Sequence, residues 1–290
     1  MVRTLRVRMT GGAVKIAPPV EPGLERDGRK RGMDLTIAAT PCRVAEKRTL
    51  ARGIYDMWVC CPAAAEAKPG QFVGVLCGGF ELRRPISICE IDAARGMLRL
   101  VFQVRGQGTR WLSAVREGEC VDILAPLGNG FIPAKPGQRA VFVGGGIGVP
   151  PLLEAAKPYG ANADAILGFR TASLAILGDD FSKICRTVTL VTEDGTGGER
   201  GLVTAPLSRR LDEAPCDAVY ACGPRPMLAE VAAEAAQRRI ACFVSMEARM
   251  ACGMGACLSC AVPAKAPGGG QQMLQVCKHG PVFDAAKLIW

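Results

Sequence analysis

At 290 residues, 49% of them hydrophobic, the chain has room for two domains with sizeable cores and a small third, and no apolar run approaches the ~18–20 residues of a membrane span. Fourteen cysteines in a chain of this length with no secretion-signal pattern point to a reducing, cytoplasmic setting and to metal or redox chemistry rather than a disulfide scaffold. The net charge of +9 is uneven: residues 1–32 hold eight Lys/Arg and three Asp/Glu, the rest 28 and 24, with no basic stripe among aromatics, so nucleic-acid binding is excluded, and a single histidine disfavours His-dependent hydrolysis.

Residues 1–32 are expected to be a disordered leader, with Pro18, Pro19, Pro22 and the basic patch Arg29–Arg31 but little periodic hydrophobicity. Met33 is a candidate start, and an Arg-rich targeting peptide is the alternative, although the prolines break any amphipathic helix. From 33 to 136 the pattern is short strands with turns: Ile54–Val59, Pro69–Leu76, Pro85–Cys89 and Met97–Val104, with one brief helix near Thr109–Val115. Such spacing predicts a small closed antiparallel barrel.

Within it, Arg84-Pro85-Ile86-Ser87 stands at a strand start. Arg84 is either a flavin-pyrophosphate partner, with Ser87 at the flavin ring edge, or an ordinary exposed arginine before a turn proline. Gly106-Gln-Gly108-Thr109 precedes the short helix. Its free N–H groups and dipole suit a phosphate, and plain capping by Thr109 explains the same residues.

The pattern changes at 137. Ala140–Val143 is a continuous apolar strand, Gly144-Gly145-Gly146-Ile-Gly148 a glycine loop, and Pro150 opens a helix. Further strands at Ala165–Phe169, Thr187–Thr192 and Ala218–Ala221 alternate with helices, Pro226–Arg239 being the clearest, so 137–240 reads as a parallel α/β sheet. The strand–loop–helix context favours a dinucleotide over a mere turn. It departs from G-x-G-x-x-G at Val149, and Arg170 rather than an acid ends the second strand. A standard Rossmann dehydrogenase is therefore not supported, and the arginine favours a 2′-phosphate. Cys222-Gly223-Pro224 follows a strand at the ligand-binding edge of such sheets, and is also a common type of strand-to-helix turn.

Residues 241–290 tie to the sheet through Ala241–Met246 and carry Cys252, Cys257 and Cys260 in a C-x4-C-x2-C run, followed by Cys277. That is the plant-type ferredoxin spacing for a [2Fe–2S] cluster, and Gly253 and Gly255 suit a loop wrapped tightly round sulfides. A structural zinc site competes, but zinc ribbons bring two C-x2-C pairs and only Cys257 and Cys260 are so spaced. Disulfides fit poorly beside ten other cysteines, and buried free thiols are common. A Rieske centre needs two histidines, and His279 stands alone.

In this order the pieces resemble the ferredoxin-reductase superfamily, an α+β multidomain fold of flavin barrel and nucleotide sheet. Arg84-x-x-Ser87 resembles its R-x-Y-S/T element with Ile86 in the aromatic position, and Gly144–Gly148 and Cys222-Gly-Pro-x-Pro-Met227 resemble its nicotinamide-side elements. With Arg83–Ser87, Leu127-Gly-Asn-Gly-Phe131, Gly144–Leu152, Glu193-Asp-Gly195, Met250–Cys257 and Val276–Phe283, residues from about 33 to 290 resemble the family of electron-transfer subunits of NAD-linked (class 1B) dihydroorotate dehydrogenase. The resemblance implies FAD at Arg84–Ser87, Val101-Phe102-Gln103 and Gly108–Thr109, and NAD at Gly144, Gly145, Gly146, Gly148, Cys222, Gly223 and Pro224. It implies cluster ligands at Cys252, Cys257, Cys260 and Cys277, and an FMN-containing catalytic subunit as partner in a heterotetramer of two of each. Electrons would run from FMN through cluster and FAD to NAD+, with no catalytic base here. Flavin/iron–sulfur subunits of NADPH:ferredoxin oxidoreductases and sulfide dehydrogenases share the layout and are the alternative that Arg170 favours. A non-enzymatic zinc adaptor is another, separated by its lack of colour.

Overall fold

The computed structural model describes residues 9–10, 13–14, 37–133 and 135–290. Of the leader expected to be disordered, only β1 (Met9–Thr10) and β2 (Ala13–Val14) are among these; they pair antiparallel, and β2 pairs with Ile37 and Ala38. The rest of that expectation lies outside the described residues.

The barrel is built from β3 (Ile37–Ala51), β4 (Ile54–Cys60), β5 (Phe72–Leu76), β6 (Arg84–Asp92), β7 (Met97–Gln103) and β8 (Cys120–Leu127). All neighbours are antiparallel in the order β3-β4-β7-β6-β5-β8, and the long β3 closes the ring by pairing with β8 as well as β4. Side chains of a strand alternate between faces, so Cys42 and Val44, Met57 and Val59, Val73 and Val75, and Leu98 and Leu100 all fill the interior. Between β7 and β8, α1 (Gln107–Ala114) plugs one end of the barrel with Leu112.

The second sheet holds β9 (Ala140–Gly145), β10 (Ala163–Phe169), β11 (Thr187–Thr192), β12 (Glu199–Arg200), β13 (Ala218–Cys222) and β14 (Ala241–Ser245), all parallel, in the order β12-β11-β10-β9-β13-β14. Alternation again divides the faces. Val141 and Val143 join one core with α4 (Thr204–Glu213) and α5 (Arg225–Gln237). Ala140 and Phe142 join the other with α2 (Pro150–Ala156), α3 (Gly178–Ser182) and the barrel residues Ile54, Cys89 and Val101. The chain leaves β9 in one direction and returns on its other side at β13, so the order reverses between them. Ligands of open α/β sheets bind beyond the strand ends at such a point.

The sheet runs on past residue 240. After β14 come the cysteine loop, the hairpin β15 (Ala261–Lys265) and β16 (Gln271–Gln275), the short α6 (Val276–His279), and β17 (Val282–Asp284), which returns antiparallel to β14. The cysteine segment therefore lies between two paired strands at the sheet edge.

Candidate redox centre

Residues 250–253 lie against the barrel, lining a crevice with Gly74, Pro85 and Leu127. Gly253 (φ 70°) and Gly255 (φ 86°) turn the loop through left-handed conformations that other residues resist. The turns aim backbone donors at sulfur: the Cys257 N–H donates to Cys252 Sγ at 3.3 Å, the Gly255 N–H to Cys277 Sγ at 3.2 Å, and the Cys277 N–H to Cys260 Sγ at 3.5 Å. Donors of this kind favour thiolates. Burial pushes the Cys252 thiol up, but the Met254 and Cys257 N–H groups outweigh it and bring it down to about 7. Cys260 and Cys277 stand 3.3 Å apart, and burial together with Cys260 pushes the Cys277 thiol up to about 12. Two adjacent sulfurs cannot both ionise without a cation between them, so this donor set fits a metal cluster. The Gln275 side chain braces the loop by donating to the Gly255 and Cys257 carbonyls. Among the described residues no three His, Cys, Asp or Glu side chains converge as a single metal ion requires.

Arg84 opens β6, and its side chain lies across Gly108 so closely that a Cβ there would collide with Nε. The arginine motif and the N-terminus of α1 are thus one site, with the guanidinium 5.3 Å from the Phe80 ring and bonded to the Leu82 carbonyl at 2.6 Å. The helix starts two residues earlier than expected, with Gly106 as its N-cap, so Thr109 is not the N-cap but the third helical residue, and its Oγ1 accepts from the Arg105 and Gly106 N–H groups. Pro85 is exposed and Ser87 half-buried, paired with Gly74 and Phe72 of β5. Ile86 and Phe102 point into the barrel, Phe102 stacking on Tyr55 at 5.7 Å, and can offer a ligand only their backbone. Val101 packs towards α2, and the half-buried Gln103 accepts from Arg105. Arg84→Ala is expected to weaken FAD retention roughly tenfold or more, the worth of one charge-assisted phosphate bond. Flavin release on dilution measures it, and unchanged release removes Arg84 from the site.

At the sheet edge, Gly144 and Cys222 are paired across β9 and β13, so the two loops meet. A Cβ on Gly148 would stand 2.5 Å from the Cys222 carbonyl carbon and 2.7 Å from Gly223 N. One on Gly145 would meet Met227 Sδ at 2.6 Å and Pro224 Cδ at 3.0 Å, and Gly146 has φ 54°. Gly148→Ala must push two backbones apart. NADH saturation is expected to weaken at least tenfold, about 1.4 kcal/mol, with FAD content unchanged; a titration showing parental affinity would detach this loop from the nucleotide. Arg170 follows β10 and is exposed, its carbonyl accepting from Asp194 N–H at 3.3 Å.

Sequence reasoning missed two features. The Leu127–Phe131 stretch docks the barrel on its neighbours. Asn129 N–H donates to the Gly280 carbonyl at 2.6 Å, Asn129 Nδ2 to the Lys278 carbonyl at 3.0 Å, and Phe131 sits edge-on to Tyr220 at 5.5 Å. Gly128 (φ 73°) has Pro281 Cδ where a Cβ would be, at 2.5 Å. The second is a buried ion network. Arg99, 3% exposed, grips Asp56 with two bonds of 2.8 and 2.9 Å, pairs with Glu90, and reaches Asp180 of α3 at 3.0 Å. Lys157 joins Glu90 at 2.9 Å to Glu154 at 2.7 Å.

Residues 247–289 match the model of the iron–sulfur cluster binding domain of dihydroorotate dehydrogenase B. The structure of an NADH-dependent reduced ferredoxin-NADP oxidoreductase, solved for insight into flavin-based electron bifurcation, superposes with a TM-score of 0.76 at 27% identity, over 87% of this chain and 90% of that one. Barrel, switch-point loops and cysteine loop define a ferredoxin-reductase-like flavin and iron–sulfur oxidoreductase, an electron-transfer protein with FAD, [2Fe–2S] and NAD as cofactors. The electron transfer subunit of dihydroorotate dehydrogenase B (NAD(+)) of Bacillus caldolyticus is 39% identical over 255 residues, and that of Streptococcus thermophilus 40% over 253, each match covering 85% of this chain and 96% of the relative. The chain belongs to this family of electron transfer subunits, which implies a catalytic partner. No helix among the described residues is long and apolar enough to cross a membrane.

Proposed function

We propose that the chain relays electrons from the FMN of a dihydroorotate-oxidising catalytic subunit to NAD+, through a [2Fe–2S] cluster and FAD, in the cytoplasm and in a heterotetramer of two subunits of each kind. The observation that carries this reading is the seam between barrel and cysteine loop, where Gly74, Pro85 and Leu127 face Met250, Cys252 and Gly253. It joins the strand of the proposed flavin site directly to a proposed cluster ligand. When bound, FAD exchanges a hydride with NAD and single electrons with a cluster, so its place is between them.

The protein's own residues then have defined tasks. Arg84 and the free N–H groups of α1 hold the pyrophosphate; Ser87 and the backbone of Ile86 and of Val101–Gln103 align the ring. Gly144–Gly148 and Cys222–Pro224 admit NAD close to backbone. Cys252, Cys257, Cys260 and Cys277 hold the cluster, and the N–H groups of Gly255, Cys257 and Cys277 spread their charge. Residues 33–136, 137–240 and 241–290 serve as the flavin, nucleotide and cluster units, the last two sharing a sheet. No residue is assigned as a base for dihydroorotate.

The test is division of labour. Alone, the chain is expected to reduce dyes with NADH but not to oxidise dihydroorotate; with an FMN-containing dihydroorotate dehydrogenase subunit added, dihydroorotate is expected to reduce NAD+. Turnover of dihydroorotate by the chain alone would overturn the reading. A colourless protein holding zinc would do so too.

A further inference from the structure

The ion network crosses from barrel to sheet at three points. Arg99 of β7 reaches Asp180 of α3 at 3.0 Å, Glu90 of β6 reaches Lys157 after α2 at 2.9 Å, and the Ile91 N–H of β6 donates to Glu154 of α2 at 3.0 Å. Every buried side-chain N or O among the described residues has a partner, so the network is fully satisfied. The other contacts between these units include apolar ones: Ile54, Cys89 and Val101 join the core that holds Leu152 and Phe181, and Phe131 stands edge-on to Tyr220. Apolar burial is strong but non-directional; charge-assisted bonds, several from one guanidinium, fix an angle.

The elements involved also carry the cofactor motifs. The helix α2 begins at Pro150, directly after the Gly144–Gly148 loop, and reaches the network at Glu154 and Lys157. Strand β6 begins at Arg84 and reaches it at Glu90 and Ile91, and Arg99 lies two residues before Val101 on β7. An α-helix rises 1.5 Å per residue, so the network sits roughly 10 Å from the nucleotide loop along one rigid element. We infer that Asp180, Lys157 and Glu154, gripping Arg99, Glu90 and the Ile91 N–H, are positioning residues that set the angle at which the nucleotide loop meets the flavin strand. Hydride transfer needs reacting atoms about 3–3.5 Å apart, and a misplacement of ~1 Å lowers its rate about 10²-fold. The network thus governs the transfer step while contacting neither cofactor. This rests on the FAD and NAD placement proposed above.

The test uses the full chain with FAD bound and four variants: Asp180→Asn, Lys157→Met, Lys157→Arg, and Arg48→Gln. Arg48 bonds Asp56 from the barrel's own surface at 2.9 Å and does not cross the junction. Stopped-flow bleaching of the flavin by NADH gives a limiting rate and a half-saturating concentration, and the long-wavelength absorbance of stacked nicotinamide and flavin reports their geometry. Amide exchange over residues 88–92 and 150–157, with and without FAD, reports the junction itself.

Asp180→Asn and Lys157→Met are expected to lower the limiting rate at least tenfold, weaken the stacking band and speed exchange, with FAD content and half-saturation within twofold. Lys157→Arg should restore most of the rate, and Arg48→Gln should match the parent. Limiting rates within twofold of the parent in both junction variants would overturn the proposal, as would losses that follow FAD content. A parent that NADH does not bleach would remove the cofactor placement, and this proposal with it; a bleaching parent with parental variants would remove only the proposal.

Discussion

Cys257→Ser is expected to empty the protein of iron, keep its FAD, and abolish NAD+ reduction by dihydroorotate in the presence of the FMN subunit, while NADH-driven dye reduction survives. Four thiolates share the proposed cluster, and a hydroxyl is a poor substitute for a thiolate. The flavin strand does not depend on that ligand for its own fold: β6 is held by β5 and β7. The cysteine segment is anchored independently by β14 with β17 and by Asn129 at Lys278 and Gly280. Iron, flavin and both activities measured on one preparation decide it. Parallel loss of iron and FAD would mean that the cysteine loop is part of the flavin fold.

Arg99→Ala is expected to have the largest effect on stability. The side chains of Arg99 and Asp56 are 3% and 1% exposed, and Glu90 and Asp180 also depend on the guanidinium. Burial alone would lower the basicity of Arg99; the bonds from Asp56 and Glu90 outweigh it and raise it, so its charge persists at any working pH. Removing it leaves a buried carboxylate with only the exposed Arg48, a loss of about 3–5 kcal/mol. For a chain of this size that is a fall in melting temperature of roughly 6–20 °C. Urea unfolding with a change under about 1 kcal/mol, the worth of a surface pair, would show that the network is only superficial.

The two features missed from sequence share a cause. Periodicity exposed the barrel strands and the α/β alternation because burial on one face is a local signal: Val141 and Val143 point one way, Ala140 and Phe142 the other. The cysteine spacing is local too, since a loop must close on its own ligands. Arg99 and Asp180 are far apart in the chain, and each reads as a surface charge until the sheet packs on the barrel. Asn129 offers nothing in sequence to show that Gly280 is its acceptor. Val282–Asp284 is too short to show alternation, so the return of the chain to the sheet was invisible, whereas the apolar run Ala241–Met246 announced its departure. That Gly108 lies under Arg84 follows from β6 and α1 meeting at one barrel end, a fact of tertiary structure alone.

Ser245 and Val282 are cross-strand partners, so everything between them leaves and re-enters the sheet through a single doorway about 5 Å wide. Chain ends that close tolerate exchange of what they enclose. Here, however, a plain turn from β14 to β17 would keep the strand pairing but uncover the core that Cys260, Val262, Ala264, Val276 and Cys277 help to fill. The excursion is narrow at its base but not loose: its residues Val262, Ala264 and Val276 are buried in the same core as Val141 and Val244 of the sheet.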